Sequence, residues 1–273
     1  MRDRGASNLA LRVATAAIGI PAVLVVDYLG GWTFALAAAV ISVVGTMEFY
    51  RMLRDAGYRP FMLAGLVSTA AMAALPIFVR PPQTLWIAIL VLLLAVAGAY
   101  YLIPDLYRSG LLNWSMTLIP VVYVGLLLGH LAWLRQDDRG AWWVFSALVI
   151  TWAYDTGAYV AGSGYGRHAF MAHVSARKTR EGVMGGLLLA TLAGLLAVPT
   201  VQLTVWQGLL LGCLIGVAAQ IGDLVESMIK RQTGVKDSGA ILPGHGGLLD
   251  RIDSLLFTAP LVAYVALLLG YAS

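Results

Sequence analysis

The feature that most constrains this chain is a succession of apolar runs, each about as long as a helix needs to cross a bilayer core of about 30 Å, roughly 20 residues. They extend over Leu9 to Leu29, Trp32 to Tyr50, Phe61 to Val79, Leu85 to Ile103, Leu111 to Leu134, Ala141 to Ala161, Val183 to Val205, Gly208 to Ile229 and Leu255 to Tyr271. So much apolar surface cannot be hidden in water. Of the 273 residues 60% are hydrophobic and 12% charged, against about 25% charged in a soluble domain. The expected fold is all-α: a polytopic integral membrane helical bundle of about nine transmembrane helices. A single membrane domain over 1–273 is expected, with N-terminal transmembrane helices over 1–140 and C-terminal helices and cytoplasmic loops over 141–273.

Basic residues give the orientation, because cytoplasmic loops hold the excess of Lys and Arg. With the N-terminus inside, the inner set is Arg2, Arg4, Arg12, Arg51, Arg54, Arg59, Arg108, Arg167, Arg177, Lys178, Arg180, Lys230, Arg231, Lys236 and Arg251, which is 15 of 18. Arg80, Arg135 and Arg139 are left outside. The early arginines resemble a signal peptide, but no small-residue cleavage site follows and another span comes at once, so an uncleaved first helix is expected. The net charge of +4 needs no nucleic acid partner and suits work beside anionic headgroups. The single cysteine, Cys213, lies in an apolar run, can form no internal disulfide and is expected to pack. Asp27 and Glu48, at span ends, are expected to face water. His130 should make a helix contact, and Trp142 with Trp143 an interfacial belt.

Two long connections carry the chemistry. The first follows the sixth span. Asp155 falls in an otherwise apolar helix, where a carboxylate costs roughly 2.5–3.5 kcal/mol, so it should face a polar cavity, a functional partner or a helix-locking hydrogen bond. Gly157, Gly162, Gly164 and Gly166 allow close backbone approach. Ser175, Arg177, Lys178, Thr179 and Arg180 then place cations and hydroxyls just before a new helix, an arrangement that grips phosphate oxygens. A positive-inside anchor would explain the charges but not the interleaved Ser, Thr and Gly.

The second connection runs from Gln220 to Ser254. If the eighth helix continues past its apolar run, Asp223, Glu226, Ser227 and Lys230 share one face. Pro243, Gly244, Gly246 and Gly247 force a turn around His245, and Asp250, Arg251 and Asp253 come just before the last span. Acids from two helix ends, with cations and glycine-supplied N–H groups nearby, are what phosphoryl-type transfer requires. Asp223 and Asp250 are the expected metal ligands. Oxygen donors favour a hard cation such as Mg²⁺, and no Cys and His cluster points to zinc. His245 is read as a substrate donor or turn organiser, since a phosphate nucleophile is already ionised near pH 7 and needs no base.

The run S-M-I-K-R-Q-T-G-V-K-D-S-G-A-I-L-P-G-H-G-G-L-L-D-R-I-D, Ser227 to Asp253, resembles the signature of the phosphatidate cytidylyltransferase (CDP-diacylglycerol synthase) family at essentially every defined position. D-T-G-A-Y at Asp155 to Tyr159 and S-A-R-K-T-R-E-G-V-M-G-G at Ser175 to Gly186 resemble its other blocks, with Ala176 where the family usually has proline. The resemblance implies transfer of CMP from CTP to phosphatidic acid, giving CDP-diacylglycerol and pyrophosphate in phospholipid biosynthesis. It implies Mg²⁺ at Asp223 and Asp250, with K⁺ as a candidate second ion. Catalytic roles would fall to Asp223, Asp250, Lys230, Lys236 and His245. Ser175, Lys178, Thr179, Ser227, Arg231, Asp237, Gly246, Gly247 and Arg251 would bind the nucleotide and the lipid phosphate. It further implies a multi-pass homodimer in the bacterial inner (plasma) membrane, its active site facing the cytoplasm.

A transporter is the chief alternative, since Asp155, Asp223 and Glu226 could mark an ion path. The polar residues crowd into the C-terminal half with no counterpart in the first, which weakens it. A CDP-alcohol phosphotransferase would need an Asp cluster that is absent. A non-catalytic scaffold would leave the acid and base constellation without purpose.

Overall fold

The computed structural model describes residues 17–107, 109–175, 177–241 and 246–271. The described residues form helices and no strand, apart from an isolated bridge between Ala169 and Thr179. The longer helices are α1 (Ala17–Leu29), α2 (Gly31–Asp55), α3 (Met62–Ile77), α4 (Pro82–Tyr100), α5 (Gly110–Leu134), α6 (Gly140–Tyr165), α7 (Arg180–Val201), α8 (Val205–Gln232) and α9 (Leu249–Leu268). Each falls on one of the expected apolar runs. Among the described residues, six are long and apolar enough to cross a membrane, namely α2, α4, α5, α7, α8 and α9. Helices α1 and α3 are shorter, and α6, though 26 residues long, is diluted by Trp, Tyr, Gly and Asp155. The start of the first expected span, and the arginines before it, lie outside the described residues.

The chain divides into two compact units. The first comprises 1–126 and 233–252, the second 127–232 and 253–273.

The first unit holds α1 to α4, most of α5 and the first turn of α9. Pro120 withholds an N–H inside α5, and the chain answers with a π-helical turn over Val121–Leu126. Hydrogen bonds join the helices of this unit: the Tyr50 hydroxyl donates to the Thr117 carbonyl at 2.7 Å, and the Thr117 Oγ1 accepts from the Phe61 N–H at 2.9 Å. Helix α4 has only 17% of its span buried and exposes Ile87, Val91 and Leu92. Such an outward apolar face is stable where lipid is the solvent.

In the second unit α6 and α7 cross so closely that a Cβ on Gly157 would lie 2.6 Å from the Gly185 carbonyl oxygen. Of the glycines read from the sequence as allowing close approach, Gly157 and Gly162 do so between α6 and α7, whereas a Cβ on Gly164 would meet nothing within 4 Å. Tyr154 on α6 donates to Gln220 Oε1 on α8. His130 makes the expected helix contact, with its ring 5.5 Å from that of Tyr264.

Three expectations are corrected. Asp27 and Glu48 do not face water: they are 4% and 0% exposed, and for Glu48 the reason is a set of backbone donors described below. Trp143 is fully buried, 5.9 Å from the Tyr271 ring, so only Trp142 keeps an exposed position. Cys213 lies on the exposed face of α8 and not in the interior, since a lipid-facing stripe also selects apolar residues.

Candidate active site

Helix α8 does run past its apolar stretch, to Gln232. The last ten residues, from Asp223 to Gln232, remain helical because Asp223, Glu226, Ser227 and Lys230 stack on one face with compensating charge. The Lys230 ammonium meets the Glu226 carboxylate at 2.5 Å, one turn away, and Glu226 is fully buried. From the loop before α7, the Lys178 ammonium reaches Asp223 Oδ2 at 2.7 Å.

Helix α9 begins at Leu249, earlier than Leu255, so Asp250, Arg251 and Asp253 are helical. This brings Asp253 onto α8. Gly222, just before Asp223, has no side chain, and a Cβ there would stand 3.1 Å from both the Asp253 carbonyl carbon and the Ser254 Cα. The helix backbones therefore touch at this level. Carboxylate oxygens of Asp223, Glu226 and Asp253 consequently lie within 4.8 Å of one another. Asp155 on α6 accepts a hydrogen bond from the Ser254 hydroxyl at 3.3 Å, the helix-to-helix contact weighed for it.

Three carboxylates this close repel one another unless cations intervene. Lys178 and Lys230 supply part of that compensation. The all-oxygen donor set fits a hard divalent cation, so this acidic group could hold a metal.

The other expected site residues divide between the two units. Thr179 caps α7, its Oγ1 accepting from the Gly182 N–H at 3.1 Å. The same helix start is tied down by Glu181, which accepts from the Arg167 N–H at 3.1 Å and pairs with His168 at 2.5 Å. Ser175 and Ser227 are half-buried, whereas Arg231, Lys236, Asp237 and Arg251 are exposed. His245 lies outside the described residues.

Asp250 belongs to the first unit, where it organises the signature loop. Its Oδ2 accepts from the Ser238 N–H at 3.1 Å, the Ser238 hydroxyl at 3.0 Å and the Gly247 N–H at 2.9 Å. Gly246, at φ +82°, takes the left-handed conformation that glycine favours.

Sequence reasoning left Glu226 and Asp253 without roles, although their spacing from Asp223 and Asp250 already put them on the relevant helix faces. Glu48 was missed. A single acid inside a hydrophobic span carries no local signal of what it will meet.

Residues 10–269 match the cytidylyltransferase family. A phosphatidate cytidylyltransferase of Synechocystis sp. is 36% identical over 94% of this chain and 96% of its own length. Proteins of the same name from Staphylococcus haemolyticus and Staphylococcus epidermidis are 32% and 33% identical, over 92% of this chain and 96% of theirs. The acidic cluster and its two lysines thus stand in a chain aligned almost end to end with proteins of this name, and the chain belongs to the cytidylyltransferase family.

Proposed function

We propose that this protein is a phosphatidate cytidylyltransferase, moving CMP from CTP to phosphatidic acid with release of pyrophosphate. The observation that carries the reading is the grouping of Asp223, Glu226 and Asp253 with Lys178 and Lys230 against them.

The lipid phosphate, already ionised near pH 7, attacks the α-phosphorus of CTP. A bond forms from its oxygen to that phosphorus, the bond to the β-phosphate oxygen breaks, and pyrophosphate leaves with the electron pair. No base is required. Lys178 and Lys230 neutralise phosphate oxygens, and the backbone N–H groups of the glycine turn supply further donors. Lys236, Arg231, Asp237 and Arg251 act with Ser175, Thr179 and Ser227 on nucleotide and lipid headgroup, and His245 serves as substrate donor.

Asp223 is the leading ligand for Mg²⁺, supported by its neighbours Glu226 and Asp253; Asp250 is assigned by its motif position. When bound, Mg²⁺ would offset the charge that builds on the phosphates in the transition state, and K⁺ is the candidate second ion. The basic residues favour a bacterial inner-membrane protein of about nine spans, its N-terminus and active site cytoplasmic, functioning as a homodimer.

The test is turnover of labelled CTP by purified protein in detergent, with phosphatidic acid and with or without Mg²⁺. A CDP-lipid product that needs both lipid and metal supports the reading, as does its loss in folded Asp223→Ala and Asp250→Ala variants. Absence of product from well-folded protein overturns it, and full activity in both variants overturns the metal assignment.

A further inference from the structure

We propose that Glu48 is a positioning residue for the signature loop, fixing Asp250 and the start of α9 for the cytidylyl transfer proposed above, on which this role rests. Glu48 lies on α2, 190 residues before Ser238, and is fully buried.

Its surroundings explain how a carboxylate is tolerated there. Oε1 accepts from the Leu248 N–H at 3.0 Å, and Oε2 accepts from the Leu249 N–H at 2.8 Å and from the Ser238 hydroxyl at 3.2 Å. The first N–H groups of a helix have no partner within it and carry the positive end of its dipole. Glu48 is thus the N-terminal cap of α9, supplied by a distant helix. The loop is shaped around it: a Cβ on Gly239 would come 2.5 Å from Oε1, and one on Gly247 would come 2.7 Å from Oε2.

The link to Asp250 is Ser238. Its hydroxyl lies 3.2 Å from Glu48 Oε2 and 3.0 Å from Asp250 Oδ2, while its N–H donates to Asp250 at 3.1 Å. One hydroxyl therefore ties together the buried Glu48 carboxylate and the acid assigned to the metal. Glu48 sets where the loop sits, and the loop's donors set the direction of the Asp250 carboxylate.

The experiment compares Glu48→Gln, Glu48→Ala and Ser238→Ala in the full-length protein in detergent. Gln retains one acceptor oxygen and turns an amide nitrogen toward a backbone N–H, Ala removes every acceptor, and Ser238→Ala cuts only the link. Hydrogen exchange of the metal-free protein should accelerate by about tenfold over 238–250 in Glu48→Ala and less in Glu48→Gln. Peptides from α6 to α8 should keep their rates. The Mg²⁺ concentration for half-maximal turnover should rise by about tenfold in Glu48→Ala and Ser238→Ala, with the KM for phosphatidic acid unchanged and partial recovery in Glu48→Gln. Unchanged exchange over 238–250, or a uniform rise through α2 and α3 with no change in Mg²⁺ requirement, would overturn the proposal. Wild-type protein that makes no CDP-lipid would instead defeat the reaction assignment, leaving the exchange measurement to decide the role of Glu48 in the loop.

Discussion

The Lys178 ammonium lies 2.7 Å from Asp223 Oδ2, so a loop cation meets the carboxylate assigned to the metal. Lys178 is mostly buried, its side chain 16% exposed, and the pair is correspondingly less screened than a surface bridge. Lys178→Met should lower kcat/KM for CTP by about 10- to 100-fold, the loss of one charge-assisted bond to phosphate. Initial rates across CTP and Mg²⁺ concentrations would show it. A variant with wild-type kcat/KM would remove Lys178 from the phosphate site.

The acidic cluster should strain the metal-free protein. Two like charges within 4.8 Å of one another repel by roughly 3 kcal/mol or more at an effective dielectric of 20, before Lys178 and Lys230 reduce it. Asp253→Asn is expected to raise the melting temperature in EDTA by about 2–5 °C and to shrink the stabilisation that Mg²⁺ gives the wild type. A lower melting temperature with an intact Mg²⁺ response would mean that Asp253 is held by hydrogen bonds and not by ions.

Gly222 sets the approach of α9 to α8. Gly222→Val should cost about 2 kcal/mol or more, because the neighbours it meets at 3.1 Å are backbone atoms that cannot rotate away. Turnover should fall by at least about tenfold, since a 1 Å displacement of positioned groups is enough to cost that much. Gly222→Ala should lie between the two. Thermal melting and turnover of the folded fraction separate the effects.

Orientation can be read with single cysteines on a Cys213→Ser background. Arg54 and Asp138 are both exposed in the structure and belong to opposite sides in the charge-based topology. A membrane-impermeant maleimide should label Asp138→Cys in intact spheroplasts and Arg54→Cys only after permeabilisation. The reverse pattern would invert the topology.

The helical class and the position of each described helix, its ends to within about six residues, follow from the sequence alone, because apolar runs of bilayer length leave the backbone few ways to satisfy its N–H and C=O groups. The sequence also determined that Asp223, Glu226, Ser227 and Lys230 share a face, since helical periodicity is a local property. Local pattern gave no such guidance for groups brought together across helices. That Asp253 joins Asp223 depends on the space left by Gly222, and that α9 starts at Leu249 depends on donors and acceptors meeting from α2. Glu48 is the clearest instance: within its own span it is an isolated acid with no reason to be buried. Only the tertiary structure places the Leu248 and Leu249 N–H groups and the Ser238 hydroxyl around it, turning a costly buried charge into a helix cap.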